Sequence, residues 1–203
     1  MNVLLHYTNE GRDIVKQYAT GKILDIGAMV NPMFANVDTV DINQPCTFQG
    51  NINNPDVWSK VLAHVKKNGK YDFAICTHTL EDISNPLFVC EQMAKVAKAG
   101  GIVVPSKYIE SGRHAGYYRG FIHHRWIWNI EGNNFVGYPK LNLFEHSKFD
   151  KLNEFGSTKT EIVLIWQGSV DVSAVNGDFL GPDNASVERY YENLIADAPN
   201  TDI

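Results

Sequence analysis

A chain of 203 residues can enclose one sizeable core and little more, and its 44% hydrophobic and 20% charged residues are the make-up of a globular protein. A net charge of −5 excludes a bulk electrostatic grip on nucleic acid or an anionic membrane and leaves room only for a local basic patch. No run approaches the roughly 18 apolar residues of a membrane span, and the start, MNVLLHYTNEGRD, is too briefly apolar for a secretion signal.

In chain order, residues 9 to 20 predict a short helix with Ile14, Val15 and Tyr18 on one face, ended by Gly21. Lys22 to Ile26 is an apolar strand broken by Asp25, and Val37 to Asp41 a second. Thr47-Phe48-Gln49 is a small third strand. Asn54-Pro55 opens a helix with a capping side chain and a proline whose missing N–H costs nothing there. Tyr71 to Cys76 is a buried strand, Asn85-Pro86 repeats the helix start, and Gly100-Gly101 is expected to stop that helix. Ile102 to Val104 forms a strand closed by Pro105. Residues 107 to 147 lack clean periodicity and read as a loop-rich, substrate-side insert within a single domain spanning 1 to 203. Glu161 to Gln167 is a late strand, and Ser186 is expected to cap a last helix with Val187, Tyr190, Tyr191, Leu194 and Ile195 on its apolar face.

Strands alternating with helices, and strands apolar without alternation, predict an α/β fold with a doubly wound, mostly parallel sheet covered on both faces. Ligands of such sheets bind beyond the carboxyl ends of the strands. Asp25-Ile26-Gly27 ends the first strand, where a glycine admits close backbone approach. Asp41 ends the second, where a carboxylate can hold two ribose hydroxyls. Gly50-Asn51-Ile52 follows the third, with an amide able to meet an adenine edge, and Thr77 to Asp82 follows the fourth. The three cysteines, Cys46, Cys76 and Cys90, form no CxxC motif and suggest reduced thiols in an intracellular, cytoplasmic setting. Cys76 and Cys90 read as buried and inert.

Together LDIG, VDTVDIN, GNI, YDFAICTHTLEDISNP and AGGIVVPS resemble a class I S-adenosylmethionine-dependent methyltransferase, over roughly residues 20 to 106. The resemblance implies a Rossmann-like sheet of seven strands, six parallel and one antiparallel. It implies S-adenosylmethionine as cofactor, with Asp25, Gly27 and Ala28 at its methionine end and Asp41 and Ile42 at the ribose. Asn51 and Ile52 would lie beside adenine, and Thr77 and His78 beside the methionine moiety. Asp82 stands where many members carry histidine. The usual D-x-G-x-G-x-G is cut short, since Gly27 is followed by Ala28-Met29-Val30-Asn31-Pro32. Only ten residues separate Ile26 from Val37, so the first crossover helix should be reduced to a turn.

An in-line methyl transfer needs an acceptor held close and often a base. The insert offers Arg113-His114 and RGFIHHRWIW, from which His123 and His124 are the candidate catalytic residues and Arg125, Trp126 and Glu110 candidate acceptor contacts. Trp126 and its neighbours are equally readable as packing anchors, and Glu110 as a solvated acid. A metal set drawn from His114, His123, His124, Glu110 or His146 matches no zinc spacing, so no metal is expected. The resulting reading is a methyltransferase acting at oxygen or nitrogen of a small molecule. A non-catalytic methyltransferase-like binding domain and a nicotinamide oxidoreductase are the alternatives. Nucleic acid as the acceptor is disfavoured by the acidic charge and by the lack of a segment for a flipped base.

Overall fold

The computed structural model of the chain describes residues 2–29, 32–43, 45–113, 117–152, 159–175 and 183–196. Its elements run β1 (Asn2–Thr8), α1 (Gly11–Tyr18), β2 (Ile23–Ile26), β3 (Asp38–Asp41), β4 (Phe48–Gln49), α2 (Pro55–Asn68), β5 (Tyr71–Thr77), α3 (Pro86–Val96), β6 (Ala97–Pro105) and α4 (Lys107–Glu110). There follow β7 (Trp126–Glu131), β8 (Asn134–Pro139), two 3-10 turns (Asn142–Glu145 and Ser147–Leu152), β9 (Glu161–Gln167), β10 (Val172–Ala174) and α5 (Asn184–Ala196). Among the described residues no helix is long and apolar enough to cross a membrane.

Seven strands form one sheet in the order β1-β9-β6-β5-β2-β3-β4. The pairs β2–β3, β2–β5, β3–β4 and β5–β6 are parallel. β9 runs antiparallel to both β6 and β1, so six strands point one way and one the other. This is the Rossmann-like α/β sheet with the strand count and single reversal the sequence resemblance implied. Its edge strand β1, however, comes from the N-terminus, where no strand was expected. Its seven residues are mostly half-buried and pair only along β9, so no local pattern marks them.

Both Asn-Pro helix starts form as expected. Asn54 accepts the N–H of Asp56 at 2.9 Å and Asn85 that of Phe88 at 3.1 Å. The last helix is capped instead by Asp183, whose Oδ1 accepts the backbone N–H of Ser186 at 2.8 Å. The first helix is shorter than 9 to 20, and Tyr18 is 42% exposed while Val15 is buried. Gly100 and Gly101 do not stop α3. They lie inside β6, because a Cβ on Gly100 would meet the Trp166 ring at 2.6 Å and one on Gly101 would meet Val15 at 2.7 Å. Close packing across the sheet, not helix termination, explains the pair. The first crossover shows turns and no helix among its described residues; Val30 and Asn31 lie outside them.

The insert is more regular than its sequence suggests. β7 and β8 form an antiparallel hairpin across Gly132-Asn133, and β10 adds in parallel to β8. The signal was present: two apolar runs separated by a two-residue Gly-Asn turn. Trp128 and Phe135 of this small sheet stack at 4.4 Å and join the same buried cluster as Trp166. A second cluster packs Ile127, Tyr138, Phe144 and Phe149 against Tyr191 and Leu194 of α5. Cys76 and Cys90 are buried free thiols, and loss of solvation pushes Cys90 up to about 12 and raises Cys76 as well, which keeps both protonated.

Candidate functional site

Two buried carboxylates tie down the shortened loop after β2. Asp25 accepts the N–H of Met33 at 2.8 Å. Asp41 accepts the N–H of Met29 at 2.7 Å with one oxygen and that of Asn43 at 2.7 Å with the other. Burial raises the Asp25 carboxyl, opposed by the Met33 hydrogen bond. Gly27 adopts φ +72°, and a Cβ there would meet Thr79 Oγ1 at 2.3 Å. Met29 adopts φ +50° at the place where a second glycine of D-x-G-x-G would stand. The loop keeps the left-handed backbone of a glycine turn with a side chain in it, and the Asp41 hydrogen bond is what holds it there.

Gly27, Met29 and Asp41 line an open cavity of about 280 Å³ at the carboxyl ends of β2, β3 and β5. Of the sequence candidates, Gly27, Asp41, Ile42, Asn51, Ile52 and His78 face it. Asn51 Oδ1 accepts from the Asn53 backbone at 2.9 Å, so its NH2 is the end left for a base edge. Asp25 does not line the cavity; it fixes the loop from behind. Ala28 sits between Gly27 and Met29 without reaching the cavity, and Thr77 contributes its carbonyl to the Thr79 hydroxyl at 3.1 Å. Met29, Asn43, Thr79, Asp82 and Ile83 line it without having been singled out as contacts. Their neighbours in the same strand-end turns were the available signal.

His78 follows β5 with φ +50°, another left-handed residue that is not glycine. Its Nε2 lies 2.9 Å from Glu161 Oε1 and its Nδ1 3.7 Å from Glu81 Oε1. Pairing with Glu161 first, and Glu81 second, raises its pKa from 6.5 to about 9 against the opposing effect of burial. At neutral pH it therefore carries its proton and cannot serve as a base. Because the folded value lies above the unfolded one, this stabilisation is complete below about 6.5 and fades as pH rises through about 9. The gap in Tm between the parent and Glu161→Gln should accordingly shrink from pH 6 to pH 10. In an NMR titration the ring should show a midpoint near 9 in the parent and a lower one in the variant; equal midpoints would show the pairing is not made.

A second cavity, of about 360 Å³, adjoins the first and shares His78 and Asp82 with it. Glu81, Phe121, His123 and His124 also line it. His124 is 9% exposed. Its Nδ1 lies 2.7 Å from Glu110 Oε1, and its Nε2 3.6 Å from Asp82 Oδ1. A carboxylate only accepts, so Nδ1–H donates to Glu110, and Nε2 is the ring nitrogen turned toward Asp82. Glu110 is not a solvated acid, and it lines neither cavity. It is fully buried behind His124, with Lys140 Nζ at 2.9 Å from its other oxygen. His123 is exposed, with Nε2 3.9 Å from Asp82.

Arg125 and Trp126 line neither cavity. The Arg125 N–H donates to Glu81 O at 2.6 Å and its side chain is exposed. The Trp126 indole donates to Ile83 O at 2.8 Å. Both strap the insert to the turn after β5, the packing reading of this stretch. Arg113 pairs with Glu145 at 3.0 Å, and His146 is exposed; His114 lies outside the described residues.

No family model matches the chain, and no curated protein does. Solved structures of similar shape include the N-terminal domain of EvdMO1 with SAH bound, at 12% identity over 79% of this chain and 82% of that one, TM-score 0.35. The methyltransferase domain of bacterial CtHen1-C gives 12% identity over 78% and 95%, TM-score 0.39. A cyclopropane-fatty-acyl-phospholipid synthase-like protein from Lactobacillus casei ATCC 334 gives 14% over 77% and 88%, TM-score 0.33. Likenesses of this size do not carry an activity from one chain to another.

Proposed function

We propose that this protein is a methyltransferase that uses S-adenosylmethionine to methylate an oxygen or nitrogen of a small molecule. The observation that carries the reading is the pair of adjoining cavities at the strand ends, one walled by Gly27, Asp41 and Asn51, the other by His123 and His124, meeting at His78 and Asp82. The first cavity suits the cofactor. Gly27, packed against Thr79, lines it with backbone alone, Ile42, Ile52 and Ile83 offer apolar walls for a purine, and the Asp41 oxygens retain lone pairs for ribose hydroxyls. When bound, S-adenosylmethionine supplies a methyl group on a sulfonium that is already a good leaving group. The chain then has to hold the acceptor in line at the junction, exclude water and deal with the acceptor's proton. His124, oriented by Glu110, presents its Nε2 on the acceptor side for that purpose.

Calorimetry with S-adenosylhomocysteine tests the cofactor side. The parent should bind it, and Asp41→Ala should weaken binding about 100-fold or more, since two charge-assisted hydrogen bonds that shape the cavity are lost, at about 1.5–3 kcal/mol each. A second reading, a binding domain without catalysis, is favoured by Met29 in the glycine position and by Asp41 already accepting two loop N–H groups. It takes over if millimolar cofactor gives no heat.

A further inference from the structure

We infer that Asp82, His123 and His124 form a binding site for one divalent transition-metal ion on the acceptor side of the junction. Their donor atoms all lie within 4.8 Å of one another. The His124 Nε2 to Asp82 Oδ1 distance is 3.6 Å and that from His123 Nε2 is 3.9 Å. A tetrahedral ion with bonds of about 2.0–2.1 Å sets its donors roughly 3.4 Å apart, so small side-chain rotations close the set. Two imidazoles and one carboxylate with open positions is a donor set that favours a transition metal over magnesium.

Two further features point to a ligand. The first is the partner of His124. A metal-binding histidine characteristically donates its other ring N–H to a carboxylate, which fixes the tautomer and raises the basicity of the ligating nitrogen. Glu110, fully buried and braced by Lys140, makes that hydrogen bond at 2.7 Å. The second is Glu81, whose residue is 1% exposed and lines the same cavity. Its Oε2 has no hydrogen-bond partner among the described residues. An unsatisfied buried carboxylate oxygen beside the cluster is costly without a cation or a water held by one. Sequence spacing missed the set because Asp82 comes from the turn after β5 and the histidines from the insert.

The site deepens the methyl-transfer reading but does not need it. An ion there would hold an acceptor oxygen beside the junction and lower its proton affinity. The hydroxyl proton would leave to water, the oxygen lone pair would form the C–O bond, and the S–C bonding pair would return to sulfur.

The test uses the full-length chain stripped with chelator and titrated with Zn²⁺, Mn²⁺ and Mg²⁺ without cofactor. One equivalent of Zn²⁺ or Mn²⁺ should bind, with Mg²⁺ clearly weaker. Asp82→Asn and His124→Gln should each weaken binding at least tenfold, and Glu110→Gln about 10- to 100-fold although it touches no metal. His6→Gln, in β1, should leave binding unchanged. Co²⁺ should give the visible absorption of a low-coordinate nitrogen and oxygen site in the parent, lost in His124→Gln, while unchanged far-UV circular dichroism shows that variant folded. No stoichiometric binding, or binding that survives both Asp82→Asn and His124→Gln, overturns the site. Metal bound without any affinity for S-adenosylhomocysteine sinks the methyl-transfer reading and leaves the metal site standing; the reverse result leaves His124 as a direct proton acceptor.

Discussion

Arg119→Ala should lower stability by about 2–4 kcal/mol, the cost of stripping a buried guanidinium from the carbonyls and half-exposed acids it holds. The guanidinium is fully buried. It donates to Phe144 O at 2.7 Å, Ser111 O at 2.8 Å and His146 O at 3.2 Å, and it pairs with Asp150. Its own N–H donates to Glu145 at 3.0 Å. One side chain thus satisfies three carbonyls on two segments of the insert, Ser111 on one and Phe144 and His146 on the other. Alanine would leave those acceptors buried and unpaired, and nearby water could reach only some of them. The loss should fall unevenly. None of these partners lines the cavity of Gly27 and Asp41, so on the proposed function S-adenosylhomocysteine binding should survive at low temperature while any methyl transfer is lost with the His123–His124 segment. Urea midpoints and calorimetry on the same preparation check both halves. A variant with the parent's midpoint would show that the network adds nothing to stability.

Gly27→Ala should cost about 2–5 kcal/mol and, on the proposed function, abolish cofactor binding. Left-handed backbone at a residue with a Cβ costs roughly 1–2 kcal/mol, and overpacking adds about 1–3 kcal/mol. Here the new methyl would sit 2.3 Å from Thr79 Oγ1 and 2.6 Å from its Cγ2. Relief by shifting the loop would break the Met29 N–H to Asp41 bond, which also shapes the cavity. Thr79→Ala removes the two closest atoms, so the double variant should regain part of the stability but not the backbone term. A double-mutant cycle by thermal melting measures that coupling. Additive effects would mean that the clash is absorbed elsewhere.

How far the sequence reached depends on how local each feature is. The helix starts at Asn54-Pro55 and Asn85-Pro86 are set by one side chain and the next turn, and both formed as read. The strand-end residues Gly27, Asp41, Asn51 and His78 could be placed together from sequence alone, because parallel strands joined by crossovers bring their carboxyl ends to one edge. The shortened crossover was legible as a residue count. What replaces its helix was not: the grip of Asp25 and Asp41 on Met33 and Met29 depends on side-chain direction at two neighbouring strand ends.

The second cavity was decided by tertiary structure. Nothing near Glu110 marks it as the partner of His124, and nothing near Glu161 ties it to His78, 83 residues away. The N-terminal edge strand gains its identity only by pairing with β9, and Gly100-Gly101 only from Trp166 and Val15 packing over them. Periodicity, caps and turns report interactions within a few residues. The sequence by itself therefore determined the α/β alternation and the strand ends that line the first cavity of this protein. Which charges meet across the insert, and so what the second cavity can bind, was decided only where distant segments packed together.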